Sequence, residues 1–268
     1  MSSNPAMMPT LSVIIITKNE AHTIEECLAS VAWADEIIIF DSGSTDNTVA
    51  LSQSFGAKVT VTDWPGFGPQ KNRALNSATC DWVLSIDADE RVTTELRQDI
   101  ETVIANPNNN SAFRMPRLSS YCGQFMRHSG WWPDYITRLF LRDKGHFSDD
   151  LVHEHVIVDG TTKTLNSPLH HISYINLEEV LEKTNRYSTD GAVMAYKRGK
   201  RATLTSAIAH GFWAFIRTYI IRLGFLDGKM GFILAVSNAE TTYYRYLKLM
   251  LLEVKPIQTQ SNVLAKKH

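Results

Sequence analysis

Acidic and polar residues follow three short apolar runs in the first third of the chain. They are Thr17, Asn19 and Glu20 after the first run, Asp41 after the second, and Asp87 and Asp89 after the third. If the runs are parallel strands, these residues meet at the edge where open α/β sheets bind ligands. Carboxylates gathered there repel one another unless a cation lies between them. A divalent metal that bridges to a phosphate ligand would relieve this repulsion, because Mg²⁺ and Mn²⁺ prefer carboxylate and phosphate oxygens.

The Asp87-Ala88-Asp89 pattern, a DXD motif, is weak by itself because acidic residues at strand ends also form turns and cap helices. Its position after an apolar strand, in phase with Asp41 after the strand EIIIF, favours a functional interpretation.

The elements that position these residues alternate between strands and helices. The composition of LSVIIIT, EIIIF and WVLSI predicts strands buried on both faces, and KVTVT predicts a more peripheral strand. Helices are predicted from a Thr23 capping box to about Val31, from about Thr45 to Gly56, and near Gln70–Ala78. Repeated βα units with short connections predict a mostly parallel sheet covered by helices.

The pattern changes after the Asn-rich loop at 106–110. The segments FRMPRL and YITRLFLR predict strands without intervening helices, and therefore antiparallel additions to the sheet. Asn176 and Glu179 predict the start of a helix that reaches about Tyr196, and two further helices separated by Gly224 and Gly228 follow. We therefore predict an α/β domain over residues 1–195 and a helical tail over residues 196–268.

The composition is that of a globular protein. The 268 residues are 44% hydrophobic and 21% charged, which excludes a disordered, collagenous or coiled-coil chain. Three scattered cysteines disfavour a disulfide scaffold or zinc ribbon and fit a reducing cytoplasm. No positive charge precedes the first apolar run, so we expect no signal peptide.

Missing motifs disfavour several enzyme classes. Neither the glycine pattern of dinucleotide-binding dehydrogenases, nor that of P-loop NTPases, nor the nucleophile elbow of α/β hydrolases is present. An aspartate-based phosphatase remains open, because it also uses an Asp after an apolar strand. FDSGST, however, lacks a second acid two residues on, and IDADE lacks the following hydroxyl residue.

LSVIIITKNE, DSGSTDNT and KNRALNSATCDWVLSIDADE resemble, in that order, the family-2 inverting glycosyltransferases of the GT-A fold. GWWPDYITRLF, LVHEHV and GFLDGKMGF resemble a bacterial branch that includes lipopolysaccharide inner-core β-glucosyltransferases. The resemblance implies a GT-A-like Rossmann-type fold. It also implies transfer of a hexose, most simply glucose, from a UDP-sugar to a lipopolysaccharide core or related glycolipid acceptor. The Gln-x-x-Arg-Trp signature of processive synthases is missing, which favours transfer of a single sugar.

The resemblance implies roles at the nucleotide for several of these residues. Thr17, Asn19 and Glu20 would line the nucleoside pocket, and Asp41 would accept from the uracil N–H. A non-catalytic protein that binds nucleotide sugars would need the same pocket, so that alternative stays open.

The diphosphate is expected to meet the DXD residues. Asp87 would face the ribose and the metal shell, and Asp89 would hold Mg²⁺ or Mn²⁺. A metal there would stabilise the charge that gathers on the leaving UDP. Lys71 and Arg73 could add positive charge, although a solvated helix face explains them equally well.

Inverting transfer also needs a base for the proton of the acceptor hydroxyl. The family often places this acid within Glu-Asp, and here the corresponding stretch is His153-Glu154-His155, which makes Glu154 the candidate. A metal site that uses His153 and His155 is the rival interpretation, and Asp134 and Asp149 are fallback bases.

Trp131, Trp132 and Asp134 are candidate sugar or acceptor contacts. Flat aromatic faces suit the C–H faces of sugars, and paired Trp beside Gly and Pro predicts a loop. Burial of one Trp in a core is the alternative.

The charge of −1 is unevenly distributed. From Ala195 onward there are 12 Lys/Arg and 3 Asp/Glu residues, against 15 and 25 before it. The basic segment KRGKR precedes an apolar helical face, most of which is expected to pack on the catalytic domain. His210, Arg217 and Arg222 interrupt that face and disfavour a spanning helix. We expect a cytoplasmic protein that binds the anionic inner face of the inner membrane peripherally, and no nucleic-acid partner.

Overall fold

The structure is a computed structural model that describes residues 9–149 and 154–252. The chain forms two compact units. The first comprises the residues up to Ser119 together with Pro133–Ser173, and the second comprises Ser120–Trp132 together with the residues from Tyr174 onward. The second unit begins earlier in the chain than the helical tail expected from the sequence, and the division at residue 195 stays a prediction.

The first half of the chain alternates between strands and helices, as predicted. The elements are β1 Leu11–Thr17, α1 Ile24–Val31, β2 Glu36–Asp41, α2 Thr48–Ser54, β3 Lys58–Val61, α3 Phe67–Ser77 and β4 Trp82–Ser85. The four strands are parallel and lie in the order β3-β2-β1-β4. Parallel order brings the ends of β1, β2 and β4 to one edge of the sheet.

Antiparallel strands extend this sheet. The next elements are β5 Glu90–Val92, α4 Thr94–Ala105, β6 Asn110–Tyr121, β7 Gln124–Phe125, β8 Asp134–Leu141, β9 Gly145–Phe147, β10 Val156–Val158, β11 Thr161–Thr164 and β12 Leu169–Tyr174. The sheet continues from β4 as β8-β6-β12-β5. β7 pairs with β6 in antiparallel orientation, β11 pairs with β6 in parallel orientation, and β9 and β10 form a separate antiparallel ribbon. The predicted α/β fold, with a mostly parallel first half and antiparallel additions, is confirmed.

The central strands are buried on both faces because their side chains alternate between two cores. Val13 and Ile15 pack with Leu28 of α1 in one cluster. Ile14, between them, packs with Leu75 of α3 in the other. A continuous run of β-branched apolar residues is therefore what this position in the sheet requires.

Of the two N-terminal helix caps predicted from the sequence, one is confirmed and the other is wrong. Asn176 caps its helix, because its Oδ1 accepts from the backbone N–H of Glu179 at 2.9 Å. The capping box expected at Thr23 is wrong. The hydroxyl of Thr23 instead donates to a carboxylate oxygen of Glu20 at 3.0 Å, so the side chain ties the helix to the preceding loop.

The second unit is helical. Its helices are α5 Leu177–Lys197, α6 Leu204–Ile216 and α7 Gly228–Leu252, with a π-helical turn Arg217–Ile221 and a 3-10 turn Gly224–Asp227 between the last two. The predicted break near Gly224 and Gly228 is thus confirmed. Over the described residues, no helix combines the length and apolar character needed to cross a membrane.

The apolar face around α6 is more exposed than expected. Phe212 is 68% exposed and Ile208 is 56% exposed, and Ile220 and Leu223 are also exposed. These side chains are therefore not covered within their own unit, and packing of this face against the catalytic domain stays a prediction. The helical period correctly predicted an apolar face but could not show whether another element covers it.

Gly68, in the first turn of α3, lies against the segment that follows β9. A Cβ atom at this position would lie 1.9 Å from the carbonyl oxygen of Ser148 and 3.7 Å from the Cα of Asp149. Because the obstructing atoms are backbone, no side chain can be accommodated without moving the chain.

Glu36, at the start of β2, links several elements of the parallel sheet. Its buried carboxylate accepts from Ser12 Oγ at 2.6 Å, from the backbone N–H of Thr79 at 2.6 Å and from Lys58 Nζ at 2.7 Å. Burial alone would raise the pKa of Glu36, but these donors outweigh it and lower the pKa to about 2.

We expect Glu36→Gln to lower the free energy of unfolding by about 2–3 kcal/mol at pH 7. The folded-state pKa lies below that of the unfolded chain. The stabilisation is therefore complete above the unfolded-state pKa and is lost as the pH falls toward 2. Urea unfolding at pH 7 and pH 3 measures the difference between variant and wild type, which should shrink at pH 3.

Glu101→Gln is the matched control, because Glu101 forms an exposed pair with Arg97 on α4. It should change stability by less than about 0.5 kcal/mol at either pH. An equal effect of Glu36→Gln at both pH values would contradict the electrostatic explanation.

Candidate active site

The loops after β1 and β2 are joined by Asn19. Its backbone has a φ of 57°, a left-handed conformation that Asn tolerates better than most residues. Its N–H donates to Ser44 Oγ at 2.7 Å, and its Oδ1 accepts from the backbone N–H of Thr45 at 2.8 Å. The predicted nucleoside residue thus holds both loops in one arrangement.

Asp41 lies at the end of β2 and is fully buried. One carboxylate oxygen accepts from the backbone N–H groups of Gly43 and Ser44, at 3.0 and 2.7 Å. The other accepts from the hydroxyls of Thr17 and Ser44, at 2.8 and 2.5 Å. Asp41 therefore orders this loop with four hydrogen bonds, and its contact with uracil stays a prediction.

A cavity of about 310 Å³ opens beside these loops. Thr17 and Glu20, both predicted nucleoside residues, line it with the exposed rings of Trp64 and Phe67. The two rings meet edge to face, with centroids 4.8 Å apart. Burial raises the pKa of Glu20, although the Thr23 hydroxyl opposes that effect.

Lys71 of α3 joins two predicted site residues. Its Nζ lies 3.0 Å from Asp87 Oδ1 and 3.0 Å from Glu154 Oε1, and its side chain is almost fully buried. A buried ammonium requires such partners. The interpretation of Lys71 as part of a solvated helix face is therefore wrong.

Arg138 of β8 continues this chain of charges. Its guanidinium contacts Asp87 Oδ2 at 2.5 Å and Glu90 Oε1 at 2.7 Å. Glu90 is fully buried, and its other oxygen accepts from the backbone N–H of Asp87 at 3.0 Å. Arg117 of β6 lies 3.6 Å from Glu90.

The cluster shifts the pKa values of its members in different directions. Burial favours protonation of Asp87, but Arg138 and Lys71 outweigh it and hold the pKa of Asp87 well below its usual range. Burial raises the pKa of Glu90, and the guanidinium of Arg138 only partly opposes that effect. The neighbouring cations therefore favour the ionised form of Asp87 more strongly than that of Glu90.

A cavity of about 460 Å³ opens onto this cluster. Lys71, Asp87, Glu154 and Arg138 line it, together with Tyr135 and other residues of β8. Glu154 precedes β10 and is mostly buried. Two carboxylates and several cations from distant parts of the chain thus face one space large enough for a sugar.

Asp89 has a different partner from Asp87. Its Oδ2 lies 3.2 Å from Nε2 of His171 on β12. The other ring nitrogen of His171 lies 2.9 Å from Ser119 Oγ and 2.8 Å from Ser173 Oγ. β12 pairs with β5, which places His171 beside the second acid of the DXD motif.

The donor set favours Asp89 over Asp87 as a metal ligand. Both Asp87 oxygens contact cationic side chains, whereas Asp89 is partly exposed and contacts His171 through one oxygen. Mg²⁺ commonly uses one or two carboxylates together with substrate phosphates, so Asp89 fits this role. Within the described parts of the chain, no group of three or more His, Cys, Asp or Glu side chains is arranged to hold a metal.

Several other predicted residues lie apart from this cluster. Arg73 contacts Asp63 at 2.7 Å and is partly exposed, as expected of a helix surface. Asp149 is exposed. His155, by contrast, lines the 460 Å³ cavity, and its Nδ1 atom lies 3.3 Å from Ser148 Oγ. His153 lies outside the described residues, so the two-histidine metal site stays a prediction.

The tryptophan pair lies in a loop of the second unit, as predicted. Trp131 stacks on Tyr174 and meets Tyr121 edge to face, with centroids 6.0 and 5.8 Å away. Trp132 lies beside the Arg127 guanidinium at 5.6 Å. Trp131 therefore contributes to a small aromatic core, and contact of either ring with sugar stays a prediction.

Asp134, at the start of β8 in the first unit, is held by Arg117. The two guanidinium contacts measure 2.7 and 3.0 Å. This ion pair between adjacent strands explains the Asp134 side chain structurally. Its roles as an acceptor contact or a fallback base stay predictions.

Sequence analysis missed Arg138, Arg117, His171, Trp64 and Phe67. A charged residue inside an apolar strand, as in TRLFL, was the available signal for Arg138. The aromatic residues of DWPGFG follow a predicted strand end, which was the signal for Trp64 and Phe67.

Residues 12–158 match the family described as glycosyl transferase family 2. A glycosyltransferase of Rickettsia bellii, described as uncharacterized, is 34% identical over 257 residues, which are 91% of this chain and 87% of that protein. The lipopolysaccharide core biosynthesis glycosyltransferase LpsC of Rhizobium meliloti is 30% identical over 251 residues, which are 89% of this chain and 91% of that protein.

Among solved structures, glucosyl-3-phosphoglycerate synthase from Mycobacterium tuberculosis, in complex with Mn²⁺, UDP and phosphoglyceric acid, is similar with a TM-score of 0.44. It is 20% identical, and the similarity covers 64% of this chain and 73% of that one.

The sequence match places the chain in a class of sugar-transferring enzymes. This chain belongs to glycosyltransferase family 2.

We expect Arg138→Leu to lower the free energy of unfolding by about 3–5 kcal/mol, because it removes the nearest cation to the buried Glu90 carboxylate. Urea unfolding at pH 7 measures the loss. Arg97→Leu, on the exposed face of α4, is the matched control and should cost less than about 1 kcal/mol. Equal losses for the two variants would contradict the importance of the buried cluster.

Proposed function

We propose that this chain is a metal-dependent, inverting glycosyltransferase that moves one hexose, expected to be glucose, from a UDP-sugar to a lipopolysaccharide core or related glycolipid. One observation carries the proposal. Lys71 bridges Asp87 and Glu154, with 3.0 Å contacts to each, at the 460 Å³ cavity. The acid expected at the donor and the candidate base thus face the same space. The similarity to LpsC supports the choice of acceptor.

The smaller cavity of the first unit fits the nucleoside. Trp64 and Phe67 offer aromatic faces on which a base can stack, and such stacking tolerates different bases. Thr17 and Glu20 supply polar atoms at the same cavity. We propose that the nucleotide base is uracil and that the loop of Asp41 recognises it. The hydrogen bonds of Asp41 keep this loop rigid before the donor binds.

Glu154 acts in this proposal as the general base. Lys71 holds its Oε1, which leaves Oε2 to accept the proton of the attacking hydroxyl as the bond to the anomeric carbon forms. The positive charges of Lys71 and Arg138 lie where negative charge can be stabilised. A Mg²⁺ or Mn²⁺ ion on Asp89 would neutralise charge on the leaving diphosphate.

The two alternatives are an aspartate-based phosphatase and a non-catalytic protein that binds nucleotide sugars. Membership of a glycosyltransferase family disfavours an aspartate-based phosphatase. In addition, Asp41, one of its possible nucleophiles, is buried with both oxygens hydrogen-bonded. A protein that binds nucleotide sugars without turnover is distinguished by experiment.

We expect Asp89→Ala and Glu154→Gln to separate binding from chemistry. With Mn²⁺, UDP-sugars should raise the Tm of the wild type more than GDP-, ADP- or dTDP-sugars do. Asp89→Ala should lose the Mn²⁺-dependent part of that shift. Glu154→Gln should keep the shift but lose about 100-fold or more in the transfer rate, because only the base is removed.

Asp159→Asn is the control, since Asp159 is an exposed acid paired with Lys144. It should behave as wild type in both assays. Full transfer by folded Asp89→Ala and Glu154→Gln variants would show that the roles are wrong, and Asp134→Asn and Asp149→Asn then test the fallback bases. A UDP-dependent shift without turnover on any lipopolysaccharide core acceptor would favour the binding protein.

We also propose that the protein associates peripherally with the cytoplasmic face of the inner membrane, where a lipid-anchored acceptor is met. The basic KRGKR segment supports this proposal, as do exposed apolar side chains such as Phe212 and Trp213 of α6. Cations attract the anionic leaflet, and apolar side chains enter its interface.

We expect the protein to float with anionic liposomes at low salt and to detach substantially at high salt, because screening weakens the contribution of each cation. Density-gradient flotation across a salt series measures this effect. Zwitterionic liposomes are the control and should bind more weakly at low salt. No binding to anionic liposomes, or binding unchanged by salt, contradicts the electrostatic account.

A further inference from the structure

A basic pocket lies between α5 and α7 in the second unit. Its volume is about 320 Å³. Arg198, Lys200, Arg201 and Arg245 line it, and none of the acidic side chains in the described parts of the chain does. Like charges around one cavity, here at least those of Arg198, Lys200 and Arg245, repel one another unless an anion lies among them.

The end of α5 folds back to bring three of these cations together. Gly199 has a φ of +76°, and its N–H donates to the carbonyl oxygen of Tyr196 at 2.9 Å. The N–H of Lys200 then donates to the Ala195 carbonyl oxygen at 3.0 Å. This left-handed helix end needs a residue without a Cβ, which is what the glycine within KRGKR supplies.

Arg245 reaches the pocket from a different helix. Its aliphatic stem packs on Gly191 of α5, where a Cβ would lie 2.7 Å from the Arg245 Cδ. Cations near a helix C-terminus are often explained by the helix dipole. That explanation accounts for Arg198 and Lys200, but not for Arg245, which lies about two turns before Leu252 on α7. Within residues 9–149 and 154–252, Arg198, Lys200 and Arg245 form no ion pair with a carboxylate.

The rest of the wall is apolar. Met194, Tyr246 and Leu249 line the cavity, and Leu249 belongs to a small core cluster beneath it. A free inorganic anion gains nothing from such a wall, whereas an amphiphile buries its first methylene groups there. The pocket therefore combines the two chemistries of a phospholipid: cations for the phosphate and an apolar side for the chains.

We infer that this basic pocket binds the headgroup of an anionic phospholipid. The inference deepens the proposed membrane association and rests on it in part. In place of a general attraction between the basic segment and the membrane surface, the inference gives a defined site. Arg198 of the α5 end and Arg245 of α7 would hold one phosphate between them. Arginine suits this role because its planar fork donates two hydrogen bonds to a phosphate.

A soluble lipid tests the pocket separately from the membrane surface. The full chain is titrated with dihexanoyl phosphatidylglycerol below its micelle concentration, and heat and Tm are measured. We expect saturable binding by the wild type. R198Q/R245Q should bind about 30-fold more weakly, since each cation near a phosphate contributes about fivefold. Both arginines are exposed, so the variant should keep the wild-type Tm without lipid.

Two further variants make the test specific. R217Q/K229Q removes the same charge from exposed positions of this unit outside the pocket and should keep wild-type affinity. R198K/R245K keeps the charge and should lose less affinity than R198Q/R245Q. Unchanged lipid affinity of R198Q/R245Q, or an equal loss of affinity in R217Q/K229Q, would overturn the proposal that this pocket binds the lipid.

The choice of ligand has its own outcomes. Dihexanoyl phosphatidylcholine should bind more weakly than the glycerol lipid, because its choline cation faces the same arginines. Inorganic phosphate that binds as tightly as the lipid would overturn the assignment to a lipid. Because no readout uses donor or acceptor sugar, failure here is distinguishable from failure of the proposed transferase activity.

Discussion

A buried chain of alternating charges organises the first unit: Glu154, Lys71, Asp87, Arg138 and Glu90 contact one another in that order. Asp87 and Glu90 are three residues apart, but Lys71, Arg138 and Glu154 come from distant parts of the chain, and each buried charge is stable only while its neighbour is present. Helix α3, the end of β4, β5 and β8 must therefore assemble together. Except for Glu90, the charged side chains that hold these elements together also line the cavity of the candidate active site.

Three aspartates at one edge of the sheet have three different surroundings. Asp41 receives three hydrogen bonds from its own loop and one from Thr17 at the end of β1. Asp87 is neutralised by two cations, and Asp89 contacts a single histidine. Similar residues at equivalent strand ends thus differ in how much bonding capacity they retain, and Asp89 retains the most. Position in the sheet gathers the acids, but their partners determine what each can do.

The parallel half of the fold could be predicted because its signals are local. Apolar runs, turn residues and strand ends placed Asp41, Asp87 and Asp89 correctly at one edge. Arg138 and His171 were missed because they reach the site through antiparallel pairing of β8 and β12, which no short segment specifies. Lys71 and Glu154 were each named, but not their contact across 83 positions of the sequence. The same limit applies to the apolar face of α6, because a helical period shows an apolar stripe but not which element covers it.

The close approach at Gly68 has a consequence for how this chain can diverge. A single added methyl group would strike the Ser148 carbonyl oxygen, at a point in the sequence shortly before Glu154. The helix that carries Lys71 and the segment that leads toward Glu154 are therefore spaced by the width of a bare backbone. Drift at position 68 would therefore separate the ammonium from its carboxylate without altering either residue.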